Sequence, residues 1–362
     1  MPIIENNQRT ANRGEWSEFY ALIKILSDRK IFSADEKLQI IPGSMVPVLK
    51  VIRDENEEGI KSYDIAGDKI LLFTDGRKTG EADYTKIKSG VKDIFNKILR
   101  GKSSFVITEA DQLMDILNCK KVKASSSDKI DIRLVIHDAV IASNQELGFS
   151  IKSMLGSPAT LLNASGATNF VYEIDNCKLT DQINSVEGNT RLRDRSELIY
   201  GCGGDMIYRY MDNITFRENL RKVDLLFPEM LAELLKYYYK TGKGGLPELV
   251  DEVCLSSELV AKYDISREIL THKLKQFLVF VALGMQPSKV WNGRTENGGY
   301  IIVREDGEIV CYHLYNRDEF EDYLFLNVKF ETPSSSRHRF GTTYKEEETS
   351  FMKLNIQLRF IS

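Results

Sequence analysis

The sequence predicts an α/β (α+β) protein: a mixed β-sheet core flanked by helices, then a helix-rich segment and C-terminal β-hairpins. Three observations carry this expectation. Apolar residues recur at helical spacing in the opening stretch, 14–30, and again across 205–285. DIRLVIHD at 131–138 alternates with period two, and GFSIKS at 148–153 reads as its returning strand. Strand patterning resumes from residue 298, where GGYIIV, an EDGE turn and IVCYHL predict a hairpin.

Taken in order, residues 1–14 are polar and loose. Trp16, Phe19, Tyr20, Ile23 and Leu26 then define an amphipathic helix. Short β-type runs, VPVLKVIR and DKILLF, fill 45–75, separated by acidic and glycine turns. Two helical segments follow at 84–118, the second opening on a Thr-x-x-Asp capping signal. KASSSDK at 123–129 reads as a loop. In 131–138, Ile132, Leu134 and Ile136 share one face, and SNQE at 143–146 is a plausible turn. Pro158 suits the first position of a helix in 157–170. KTGKGGLPE at 240–248 is the clearest hinge candidate. A short helix, RDEFEDYLFL, and a final strand pair around KEEETS close the chain. We expect two regions, 1–200 as the core and 201–362 as a helical and hairpin region for recognition or dimerisation.

Bulk properties narrow the function classes. At 362 residues, with 42% hydrophobic and 28% charged content, the chain is an ordinary globular protein. No apolar run approaches the roughly 18–20 residues a membrane helix needs, and the N-terminus lacks a secretory pattern. A cytoplasmic location without membrane partners is expected. Five scattered cysteines form no CxxC or Cys/His cluster, so zinc and disulfide scaffolds are disfavoured and free thiols expected. The formal charge of −4 argues modestly against nucleic acid as a partner. Yet 49 Lys and Arg suffice for a basic groove, because local potential outweighs net charge.

The chemistry-bearing stretch is 131–170. Asp131 opens one strand, and alternation projects Ser150 and Lys152 together from the next, with Phe149 and Ile151 turned into the core. Metal-dependent nucleases of the D…(D/E)xK kind arrange an acid and a polar-x-Lys step in this way. An aspartate binds hard divalent cations through oxygen, and the lysine ammonium can orient water and stabilise charge on phosphorane oxygens. Spacing alone is equally met by an ordinary surface strand.

Residue identities go further. GEWSEFY, GFSIKSMLGSPATLLNASGATNF and GGYIIVREDGEIVCYHLYNRDEFEDYL…ETPSSSRHRFG…KLNIQLRF, in that order, resemble the HpaII-type restriction endonucleases over about residues 14–360. The resemblance implies a restriction-endonuclease-like fold and a type II enzyme cutting double-stranded DNA with Mg2+. It implies catalytic roles for Asp131, Ser150 and Lys152. It matches Glu15 to the first-helix glutamate that such cores bring toward the metal, making Asp131 and Glu15 the expected metal ligands. Ser150 stands where an acid is usual. The missing carboxylate could come from Glu15, Glu146, Asp138 or Glu173, with Glu15 preferred and Glu18 read as a surface residue. His137 reads as a packing residue rather than a base.

For DNA contact the candidates are Ser336, Arg337, His338 and Arg339 in an exposed basic loop, plus Asn163, Ser165, Thr168 and Asn169 after the lysine strand. The alternatives are a solvated turn for the first set and capping for Ser165 and Thr168. RLRDR at 191–195 reads as a second basic loop, and Tyr237, Tyr238 and Tyr239 as core. The kinship implies a short palindromic target, with CCGG first to test, a homodimer on DNA and a cognate DNA methyltransferase. The alternative activity is a non-cleaving DNA-binding protein of the same fold.

Overall fold

The computed structural model describes residues 8–125, 130–138, 143–295, 298–313 and 316–361. The chain forms two compact units. One takes residues up to Ala159 together with 296–320, and the other takes Thr160–Thr295 and Glu321–Ile361.

The first unit is built on a nine-stranded mixed sheet. Its order is Lys30–Ala34, Ile309–His313, Gly299–Val303, Ser143–Ser153, Ile132–Asp138, Ile40–Asp54, Ile60–Ala66, Lys69–Thr74 and Arg77–Asp83. Two pairings are parallel, Gly299–Val303 with Ser143–Ser153 and Ile309–His313 with Lys30–Ala34. The helix Arg13–Asp28 buries Trp16, Phe19, Leu22, Ile23 and Leu26 against Leu134, Ile136, Phe149 and Ile301. Each such side chain contributes roughly 1.5–3 kcal/mol of burial free energy. The helix Tyr84–Arg100 starts on an Asp83 cap and carries Lys97 and Arg100 in its last turn, where the dipole favours cations.

The second unit holds a four-stranded antiparallel sheet ordered Asp205–Met211, Asn169–Asp175, Thr349–Asn355 and Thr343–Glu346. A three-stranded sheet joins Thr160–Leu162, Leu358–Phe360 and Val328–Phe330. The helices Phe227–Thr241, Leu246–Ser256 and Arg267–Ala282 supply a large share of its apolar interior, including Phe227, Leu231 and Phe277.

The mixed α/β class holds, as do the first helix, the 299–313 hairpin, the helix Arg317–Asn327 and the last strand pair. Several local expectations do not. SNQE is not a turn, because Asn144, Gln145 and Glu146 already pair with His137, Ile136 and Val135. The 126–129 part of the predicted loop lies outside the described residues. No helix starts at Pro158; Thr160–Leu162 is a strand instead, held by pairing with Leu358–Phe360, and only a short 3-10 turn, Gly166–Thr168, follows. KTGKGGLPE does not divide domains: Gly242 caps one helix at φ 74° and Leu246 opens the next. The units part at 159/160 rather than 200, because the 299–313 hairpin completes the first sheet by pairing in parallel with the lysine strand. Cys177 and Cys202 are disulfide-bonded, against the expectation of free thiols: the strand Asn169–Asp175 and the helix Arg191–Gly201 bring their Cα atoms to 6.1 Å.

Candidate active site

The pairing of Ile132 with Phe149 and Arg133 with Gly148 brings Asp131 to the lysine strand. The Asp131 amide donates to the Phe149 carbonyl at 2.9 Å, and its Oδ2 accepts from the Ile151 amide at 2.8 Å. The Ser150 hydroxyl also donates to this carboxylate. Serine thus has a local reason at the position where an acid is usual. A hydroxyl donates to Asp131, whereas a second ionised carboxylate there would repel it. Burial raises the Asp131 pKa, and the Ile151 amide, Lys152, Lys123 and Ser150 oppose that rise.

Ser150 is buried at 3% exposure and shares its face with Lys152. The Lys152 ammonium lies 5.1 Å from the ring centroid of Tyr300, which pairs in register with Ser150. Burial lowers the Lys152 pKa; Asp131 and then Glu18 counter it by holding the ammonium charged.

The first helix places its two glutamates differently. The Glu15 amide donates to Asn12 Oδ1 at 3.0 Å, and the Asn12 amide donates to Glu15 Oε2 at 2.9 Å. Glu15 is therefore half of a capping box and is turned back onto the helix end. Glu18, one turn on, lines a cavity of about 750 Å³ together with Asn12, Arg13 and Lys152. Burial and then the charge of Asp131 push its pKa up to about 7, opposed by Lys123, Arg53 and a hydrogen bond from the Ala124 amide. Its Oε2 is buried and has no hydrogen-bond partner among the described residues. The structure thus brings Glu18, not Glu15, to Lys152. The missed signal is legible in the spacing. Asn12-x-x-Glu15 is a capping box, and Glu18 stands at i, i+4, i+7 with Leu22 and Ile25, a carboxylate on a buried stripe.

A segment from Cys119 to Ser125 approaches Glu18 and is fixed from below. Arg53 and Glu55, 3% and 0% exposed, pair at 3.3 Å. Arg53 Nη2 donates to the Val122 carbonyl at 2.7 Å and also to that of Lys121. Glu55 accepts from Cys119 Sγ at 2.9 Å and the Lys120 amide at 2.8 Å. A buried pair of this kind adds little net stability, but its bonds to the Lys120 amide and to the Lys121 and Val122 carbonyls hold this loop in one conformation. Sequence reading overlooked both residues, since a strand-end Arg-x-Glu has no distinguishing pattern. Arg13 spends its guanidinium on the Leu99, Gly101 and Leu155 carbonyls at 2.8–3.0 Å, bracing the cavity mouth.

Two half-buried carboxylates, both raised by burial, with the charge of Asp131 raising Glu18 further and one Glu18 oxygen unpartnered, suit a divalent cation. No cluster of three or more metal-type side chains occurs among the described residues. That is compatible with Mg2+, which keeps several waters and takes one or two carboxylates plus phosphate oxygens.

The other acids are engaged elsewhere. Glu146 is exposed and 3.9 Å from Arg133, and Glu173, in the second unit, pairs with Arg209 at 2.7 Å. The Asp138 side chain lies outside the description. His137 is exposed and bonds Asn144 at 3.0 Å.

In the second unit, SSSRHRF is not a loop throughout: Ser335–His338 is a short helix capped by Ser334. Ser336, Arg337 and Arg339 are exposed and His338 half-buried. Neither the Arg337 nor the Arg339 guanidinium has a partner among the described residues, and Arg339 adopts φ 52°. Asn163 is exposed, whereas Thr168 and Asn169 are 0% and 3% exposed. Ser165 and Thr168 form a capping box, and Asn355 binds Thr168 at 3.1 Å and the Ser165 carbonyl at 2.8 Å. Ser165 and Thr168 thus cap a short turn, and Asn169 donates to the His338 carbonyl at 3.2 Å and accepts from Asn355, so all three bond within the protein. Tyr237, Tyr238 and Tyr239 are core, and RLRDR is the first turn of the helix Arg191–Gly201.

Comparison with known proteins gives the family. The profile of the HpaII restriction endonuclease family matches residues 12–360. The type II restriction enzyme HpaII of Haemophilus parainfluenzae is 37% identical over 97% of this chain and 99% of its own length. No solved structure matches the chain. The chain belongs to the HpaII restriction endonuclease family and is a type II restriction endonuclease.

Proposed function

We propose that the chain hydrolyses double-stranded DNA at a short palindrome with Mg2+, through Asp131, Ser150, Lys152 and Glu18. The observation that carries this is the buried, unpartnered Oε2 of Glu18 in the cavity it shares with Lys152. Asp131 and Glu18 would hold the cation, which when bound supplies Lewis-acid assistance to attack on phosphorus. Ser150 and the Ile151 amide fix the Asp131 carboxylate, so its free lone pairs are aimed before the metal arrives. Lys152 orients the attacking water and balances charge on the phosphoryl oxygens. The ring of Tyr300 beside it limits where the ammonium can stand.

Arg337 and Arg339, exposed and unpaired, are the groups for reading guanine O6 and N7, with Ser336 and His338 toward phosphate. CCGG is the target to test first, given the resemblance to HpaII. A palindrome implies two-fold symmetry, hence a homodimer on DNA, and a cognate methyltransferase would protect the host's own sites. The test is to digest phage DNA with purified protein and Mg2+ and sequence the fragment ends. A single motif with one cut position is expected. Random ends overturn sequence specificity, and retention of DNA without cuts favours a binding protein that does not cleave.

A further inference from the structure

The RLRDR motif has no place in the reading above, and its structure suggests one. Arg191 and Arg195 stand one helical turn apart at the start of the helix Arg191–Gly201. Neither is spent on an acid. Arg191 Nη2 donates to Ser335 Oγ, and Arg195 Nη1 to the Gly341 carbonyl. Arg195 is 6% exposed and its Nη2 also donates to the carbonyls of Asn184, at 3.0 Å, and Val186, at 2.9 Å. Leu192, between them, packs under Gly341: a Cβ built there would meet Leu192 Cδ2 at 2.0 Å, and the φ of 80° also favours glycine. From the other side Asn169 Nδ2 donates to the His338 carbonyl at 3.2 Å, and the Gly341 amide to the Lys353 carbonyl at 2.8 Å.

The segment 335–341 is therefore gripped at Ser335, His338 and Gly341, at a side chain and two carbonyls, while Arg337 and Arg339 between the grips stay in water. We propose that Arg191 and Arg195 are positioning residues for target discrimination, setting the angle at which Arg337 and Arg339 meet the bases. This rests on the reading of those two arginines as DNA contacts. The physical reason is that a bidentate arginine–guanine contact depends on angle as well as distance, so an unanchored loop keeps its charge and loses its selectivity. Long-range attraction to phosphate survives such loosening.

The test is a double-mutant cycle on Arg191→Ala and Ser335→Ala, together with Arg195→Ala and its conservative counterpart Arg195→Lys, which keeps the charge. Each protein is incubated with phage DNA and Mg2+, all cut ends are sequenced, and cuts one base pair off the majority site are counted against cuts at it. We expect each alanine variant to lower discrimination about tenfold, as for loss of one good base contact, with cleavage at the majority site reduced less. The double variant should match the singles, since both remove one bond, and Arg195→Lys should lie between wild type and alanine. Wild-type discrimination in Arg191→Ala and Ser335→Ala overturns the proposal if Arg337→Ala with Arg339→Ala does lower it. If that last pair also leaves discrimination and binding unchanged, the DNA-contact reading falls and the proposal with it. Equal loss at all sites with a lowered melting temperature would mean a purely structural role and also overturns it.

Discussion

In the first unit the charged groups of the candidate site face one another at close range, half-buried and with shifted pKa values. In the second, Arg337 and Arg339 stand apart in water with no partner among the described residues. The first arrangement stores electrostatic cost that a cation and a phosphate would relieve. The second stores none and offers donors to whatever surface arrives. On the proposed reading, chemistry and recognition are separated by solvation: the desolvated cluster suits bond breaking, and the hydrated pair suits sorting of sequences.

The sharpest break of this contrast is at Lys152 and Asp131. Alanine at either should lower cleavage by about 10²–10³-fold or more, with DNA binding in Ca2+ kept, as read in a gel-shift and a cleavage assay side by side. Near-wild-type cleavage would remove that residue from the chemistry. Next is the pair of glutamates. Glu18→Gln should lower cleavage on the order of 10²-fold and weaken Mg2+ affinity in titration calorimetry. Glu15→Gln should leave both nearly intact, because glutamine keeps the capping box; the reverse order would restore Glu15 as the ligand.

A smaller effect belongs to the second unit. Replacing whichever of Arg337 and Arg339 reads a base should cost about 1–3 kcal/mol at the cognate site and relax one position, whereas replacing a phosphate contact weakens all sequences alike. Binding isotherms on substituted duplexes tell these apart.

The smallest sharpens the electrostatics without DNA. Glu18 has a folded pKa of about 7, above the ordinary carboxylate value, so the folded state holds more protons than the unfolded one between roughly pH 4.5 and 7. Stability from this group is lost as pH rises through that window. Metal-free Glu18→Gln should therefore be more stable than wild type at pH 8, on the order of 1–3 kcal/mol, and no more stable at pH 4. Equal denaturation midpoints at pH 8 would place Glu18 in water.

Much of this was legible early. Alternation in 131–138 and the hairpin at 299–313 follow from period two, which any half-buried strand imposes. Asp131, Ser150 and Lys152 come together because their pairing is local along neighbouring strands. Glu18 was legible too, as a carboxylate on a buried stripe, but the Asn12 capping box that claims Glu15 had to be noticed first. Thr168 and Asn169 looked like exposed contacts because polar residues near a site suggest one. Their burial depends on Asn355, far along the chain, which satisfies them.

What the sequence by itself determined is the family, the class of fold and the acid–serine–lysine core, all carried by residue identity and short-range periodicity. Only the tertiary structure decided that Arg53 and Glu55 fix the loop beside Glu18, and that RLRDR grips the segment bearing Arg337 and Arg339. Those are contacts between residues 60 to 150 apart in several cases, such as Arg53 with Val122 and Arg195 with Gly341. Spacing along a chain records which side of its own strand or helix a side chain takes. It records nothing of which distant carbonyl will need a donor once the elements are packed.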